Sequence, residues 1–180
     1  MKVMVIGTSP NTDGLTAACA AAAMEGLRHA GAESEEVQLN ELNVGMCRAC
    51  DNGWGTCQEE HRCQEEDGFQ ALHARMLEAD AYVLVSPVYW GEMSESAKAL
   101  TDRLRRCEAT RERSGLYDKP VIAVAAAGGS GGGMITCLGS MERWIEHVGA
   151  RTWDLIPVNR WSREYKLAAI QEAARAMAQQ

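Results

Sequence analysis

The chain lacks any apolar run approaching the roughly 20 residues that a bilayer-spanning helix needs. The Ala-rich "LTAACAAAAMEGL" comes nearest, but it is short and only weakly apolar, so no membrane partner is expected. A surplus of basic residues is also missing. Lys and Arg number 18 against 25 Asp and Glu, a net charge of −7. Neutralising phosphates takes clustered cations, so a nucleic-acid partner is excluded as an expectation. The basic stretch "RLRRCEATRER" (103–113) is interrupted by acids and reads as a solvated helix end. The opening "MKVMVIGTSP" has no long apolar region followed by a small-residue cleavage site, which argues against a signal peptide and for a cytoplasmic protein. Repeats, low-complexity linkers and a second-domain boundary are absent as well. A chain of 180 residues then reads as one domain, 1–180. A domain of that size buries enough surface to fold without a metal or a disulfide.

What is present is an alternation. Apolar runs at 2–7, 81–90, 120–129 and 151–159, with a weaker one at 34–40, read as strands. Helical stripes fall between them: 15–31 closed by Gly31, Phe69 to Leu77, Ala97 to Cys107 with Ser94 as N-cap, Met134 to Val148, and 162–179. Strands this uniformly apolar are covered on both faces. The pattern predicts an α/β fold, a doubly wound parallel sheet of five strands with helices on both faces. One connection is anomalous, the long cysteine-rich insertion at about 44–66. Long irregular loops in compact domains are usually functional.

In such sheets ligands bind beyond the carboxyl ends of the strands, at the point where strand order reverses. Three loops there carry chemistry. "GTSPNTDGLT" (7–16) offers hydroxyls, glycines and a helix N-terminus, a fair nest for a phosphate. It lacks the lysine of an ATPase P-loop and does not match G-x-G-x-x-G. "SPVYWGEMS" (86–94) sets Tyr89 and Trp90 at a strand end, where exposed rings are costly unless something flat or a neighbouring element covers them. "AAAGGSGGGM" (125–134) has five glycines in six residues, an entropic cost that backbone lying against a ligand explains. Together they suit a flat aromatic cofactor with one phosphate, and flavin mononucleotide (FMN) fits.

These stretches resemble one known group. "GTSPNTDGLT" is similar to G-S-P-R-x-x-G-N-T. "SPVYWGEMSESAKALTDRL" is similar to S-P-V-Y-x-G-x-x-S-x-x-x-K-x-x-x-D-R. "CRACDNGWGTC" stands where the group has a C-x-x-C loop, and "GGSGGGMITCLGSMERWIEHVGA" resembles its glycine loop and fourth helix. The group is the NAD(P)H-dependent FMN reductases and iron–sulfur flavoproteins, with a flavodoxin-like fold. The resemblance implies that Ser9, Asn11, Leu15 (through its backbone) and Thr16 hold the FMN phosphate. It implies that Pro87, Val88, Tyr89, Trp90 and Gly91 line the flavin ring, and that Gly128, Gly129 and Ser130 approach it. Asn11 stands where the group has Arg or Lys, and Leu15 where it has Asn, a weaker phosphate grip. It also implies a homodimer or homotetramer with Trp90 or Trp54 over the flavin. The function implied is an FMN-dependent oxidoreductase. It would take hydride from NAD(P)H and pass electrons to a quinone, a flavin or another small acceptor, with no catalytic acid or base supplied by the protein.

The cysteines Cys47, Cys50, Cys57 and Cys63 are spaced C-x2-C-x6-C-x5-C. Zinc sites prefer two tight pairs, whereas iron–sulfur ligation tolerates irregular spacing. The resembling iron–sulfur flavoproteins have C-x2-C-x2-C-x5-C, so the outer gaps agree and the middle one is longer here. A [4Fe–4S] cluster, a zinc ion and a plain thiol loop stay open, with an electron carrier working through a cluster as the alternative function. Cys19, Cys107 and Cys137 fall on helical stripes and read as packing residues.

Overall fold

The computed structural model describes residues 1–180. The elements alternate as the periodicity requires: β1 (Lys2–Gly7), α1 (Leu15–His29), β2 (Glu33–Gln38), α2 (Gly68–Glu78), β3 (Ala81–Pro87), α3 (Glu95–Glu108), β4 (Pro120–Ala127), α4 (Met134–His147), β5 (Arg151–Asn159) and α5 (Arg163–Ala178). The five strands are all parallel, in the order β2-β1-β3-β4-β5. The apolar strands β3 and β4 are buried at every residue because they lie inside the sheet under helices on both faces. The edge strands β2 and β5 are partly exposed, which accounts for the polar "ESEEVQ" of β2.

Two cores flank the sheet. One joins α2, α3 and α4 through residues such as Phe69, Leu100 and Met141; the other joins α1 and α5 through Cys19, Leu27 and Ile170. The chain dictates its helix ends locally. At the end of α1, Gly31 takes φ +68°, and the Ala32 amide returns to the Leu27 carbonyl, which is a Schellman stop. Asp67 and Gln70 form a reciprocal capping box at α2. Ser94 caps α3 by accepting from the Ala97 amide at 3.3 Å.

Three strand boundaries differ from expectation, and the simplest is β4, which stops at Ala127 rather than 129, where the glycine run begins. Strand two stops at Gln38, because residues 39–41 turn to bury Leu39. Strand three stops at Pro87 rather than running to residue 90, because Trp90 and Gly91 adopt positive φ and reverse the chain. Sheet order places the switch point between β1 and β3, so the loops after these two strands flank the expected ligand edge.

Candidate functional site

At the first loop, Gly14 begins α1 without a side-chain cap, and no acidic residue lies in the first turn. The amides of Leu15, Thr16 and Ala17 consequently have no partner within the chain. Beside them, Ser9 Oγ accepts from the Asn11 amide at 3.1 Å, and Ser9 and Thr16 are buried at the loop's base. Free N–H groups at a positive helix end fit an anion.

The second and third loops meet backbone to backbone. Tyr89 and Glu92 exchange two 2.9 Å hydrogen bonds across Trp90 (φ +51°) and Gly91 (φ +80°), a two-residue hairpin turn with both central residues at positive φ. Tryptophan is strained there, yet its side chain is fully exposed. Gly133 approaches so closely that a Cβ on it would lie 2.6 Å from the Gly91 Cα. Thr136 Oγ1 ties the two loops by donating to the Gly91 carbonyl at 2.7 Å. Between them lies a shallow cavity of about 580 Å³ lined by Val88, Trp90, Gly91, Ser130, Gly132, Gly133 and Thr136. Gly128 and Gly129 are not among its lining residues, and nothing lies within 4 Å of where a Cβ would be on either, so packing within the chain does not require glycine there.

Of the residues named from sequence, Val88, Trp90, Gly91 and Ser130 share this cavity. Pro87 is buried and ends β3. Tyr89 turns aside to a second groove of about 330 Å³ with Pro10, Val44 and Met46. Sequence reasoning missed Gly132, Gly133 and Thr136, although the glycine run pointed to them. It also missed a buried hydroxyl latch. Ser94 Oγ donates at 2.9 Å to the Thr8 carbonyl and lies 3.0 Å from the Thr8 hydroxyl. Ser86 Oγ accepts from the Ser94 amide at 3.0 Å. This latch locks the phosphate-side loop to the aromatic loop.

The cysteine loop is held differently. Cys47, Cys50, Cys57 and Cys63 are half-buried and line one narrow cavity with Cys107, Arg103 and Arg106. Arg103 is 1% exposed. Its guanidinium donates to Asp67 at 2.6 Å, to the Gly45 and Glu65 carbonyls at 3.1 and 3.3 Å, and to Cys63 Sγ at 3.2 Å, and it stacks on Phe69. Arg106 covers Trp54 at 4.7 Å and donates to the Gly53 carbonyl. Within the basic stretch 103–113, Arg103 and Arg106 are thus taken up by this loop, while Ala109, Thr110, Glu112 and Arg113 beyond α3 are exposed, and Trp54 packs under Arg106. His61 is likewise engaged, 3.0 Å from the Thr110 hydroxyl. No three Cys, His, Asp or Glu side chains are arranged to hold a single metal ion. Four thiols beside two guanidiniums have the donor chemistry of a thiolate-held anionic group, but the cavity they line is about 20 Å³, room for a single water, so the loop must open to admit one. Burial pushes the thiols of Cys19 and Cys107 up to about 12 and that of Cys137 to about 11, so all three stay protonated packing residues.

Five parallel strands in this order, with the ligand edge at the switch point, make a flavodoxin-like fold. The pattern of the NADPH-dependent FMN reductases matches residues 1–153, and the chain belongs to that family. It is 27% identical over 165 residues to an iron-sulfur flavoprotein of Methanosarcina thermophila, covering 86% of this chain and 83% of the relative. It is 33% identical over 145 residues to one of Methanocaldococcus jannaschii, covering 81% and 72%. Among solved structures, a flavone reductase superposes with a TM-score of 0.76 at 18% identity. The match covers 99% of this chain but 62% of that one. An NAD(P)H:quinone oxidoreductase from Methanothermobacter marburgensis gives 0.71 at 18%, covering 98% and 96%. These structural likenesses show the fold alone. No helix is long and apolar enough to cross a membrane.

Proposed function

We propose that the protein is an NAD(P)H-dependent FMN oxidoreductase that passes electrons to a small acceptor such as a quinone or a second flavin. One observation carries the reading. The unpartnered α1 amides and the cavity between residues 88–91 and 130–136 open on the same sheet edge. Ser9, Asn11, Thr16 and the amides from Leu15 onward hold the phosphate. No lysine or arginine lies in residues 7–16, so hydroxyls and amides alone carry this grip. Val88, Trp90 and Gly91 form one wall of the ring site, Gly128, Gly129 and Ser130 the other. Pro87 and Tyr89 support the first wall from behind and beside. Bound FMN supplies the chemistry, accepting hydride from NAD(P)H and releasing electrons to the acceptor. The protein binds and orients the cofactor. The full exposure of Trp90 supports a homodimer or homotetramer that covers it. Seven unpaired cysteines fit a reducing, cytoplasmic setting.

The test is direct. Purified protein takes up FMN one to one, and anaerobic NADH or NADPH bleaches the flavin absorbance. A protein that neither carries nor binds FMN sinks the reading.

A second reading rests on the cavity shared by the four loop cysteines and on relatives named iron-sulfur flavoproteins. In it, Cys47, Cys50, Cys57 and Cys63 hold a [4Fe–4S] cluster, which supplies one-electron transfer. Iron analysis of anaerobic protein tests it.

A further inference from the structure

The bonds of Arg103 suggest what its cavity is built to hold. Burying a guanidinium is costly unless its donors are met. Asp67 and the Gly45 carbonyl satisfy one terminal nitrogen. The other donates to the Glu65 carbonyl and to Cys63 Sγ, and Nε has no partner at all. A neutral thiol is a weak acceptor, whereas an ionised sulfur is a strong one. This side of the guanidinium is therefore underused unless the sulfur it faces carries negative charge.

Packing alone does not require the arrangement. Asp67 already balances the charge, and an aliphatic side chain would fill space beside Phe69 and Cys107 at lower cost. Arg103 lines the cavity that all four loop cysteines share.

We propose that Arg103 is a positioning and redox-tuning residue for an anionic, thiolate-held iron–sulfur cluster in the cysteine loop. It orients the Cys63 sulfur by an N–H···S bond and sets a fixed positive charge beside the group. This inference rests on the cluster reading above. Reduction adds one electron, hence one negative charge, next to that cation. Arg103 thus favours the reduced form and raises the midpoint potential. Arg106 lines the same cavity but bonds only to the Gly53 carbonyl and Trp54, so its influence is smaller.

The experiment uses the full chain with FMN, reconstituted anaerobically with iron and sulfide. Iron per chain is measured, and the cluster's midpoint potential is followed by electron paramagnetic resonance. R103M should hold less iron and shift the potential downward. R103K keeps the charge but not the forked donors, and should shift it part of the way. R106M should stay near the wild-type value, and the flavin potential should be unchanged throughout. If R103M yields no folded protein, R103K decides. Wild-type protein without iron overturns the cluster reading and this inference together. Iron-loaded wild type with R103M and R103K at the same cluster potential overturns this inference alone. So does an R106M shift as large as that of R103M.

Discussion

The ligand edge of the sheet and the cysteine loop hold their shapes by opposite means. At the edge, glycines let backbones touch, hydroxyls latch the loops, and helix amides are left free. No ion pair joins the flavin-side loops to one another. The cysteine loop has no strand and only one short helical turn, Asp51–Gly53, besides the turn around residues 56–60. Its ends are pinned from outside by a buried cation on α3 that reaches Gly45, Cys63, Glu65 and Asp67. The first region binds by leaving backbone groups unspent. The second is held by charge, and charge in a buried place makes it sensitive to single neutralisations and to acid.

The widest separation of the two should come from Asp67→Asn. Asparagine still caps α2 and nearly preserves shape, so the change isolates the charge. It leaves Arg103 buried without its counter-ion, a loss of about 3 kcal/mol. The urea midpoint should fall accordingly while FMN affinity stays at the wild-type value. A parallel loss of FMN binding would mean that the regions are not independent.

Acid tests the same asymmetry. Burial alone would raise the Asp67 carboxyl, but Arg103 and the Gly45 and Phe69 amides outweigh it and hold it below its ordinary value. Burial also opposes ionisation of Glu108, and there His73 at 2.7 Å, the Gly115 amide and Arg111 prevail. Carboxyls lowered on folding contribute stability that is complete above their unfolded value, about 4, and is lost as pH falls through the folded one. Stability should therefore drop below about pH 4, and Asp67→Asn should flatten that drop. A mutant with the wild-type acid profile would remove Asp67 from the account.

For the ligand edge the matching break is Gly133→Ala. Its φ of +78° strains any side chain, and the new Cβ would meet Gly91 at 2.6 Å. The expected cost is about 2 kcal/mol. The two loops must part, so FMN retention should be lost while the cysteine loop's thiol accessibility stays unchanged. Retained FMN would show that the contact between the two glycines is dispensable.

The contrast also explains what the sequence disclosed. Strands, helices and the three edge loops were readable because their signals are local: apolar runs, a glycine run, an aromatic pair after a proline. Ser94 was readable as a cap for the same reason. The hydroxyl latch was not, since Thr8, Ser86 and Ser94 meet only once β1 and β3 are neighbours. Arg103 was misread because acids around it suggested solvent. Its position carried a signal nonetheless: it lies three residues after Leu100 and four before Cys107, on the buried stripe of α3. Asp67 with Gln70 three residues on was a legible capping box as well. What no local signal gives is the pairing of that cap with a buried arginine 36 residues away.

The smallest expected effect has the sign that best separates function from folding. Trp90 occupies a turn position that favours Asn followed by Gly, and Gly91 already supplies the second residue. Trp90→Asn should relieve left-handed strain and stabilise the FMN-free protein by about 1 kcal/mol. Because the ring is fully exposed, no packing is lost within the chain. If Trp90 is kept as a wall for the flavin or as a contact for a second copy, the same variant should bind FMN more weakly or dissociate at lower dilution factors. A stabilised variant with unchanged FMN affinity and unchanged assembly would leave the strain at this position without a functional reason. Opposite movement of stability and binding would show that the turn carries its strain for the ligand edge.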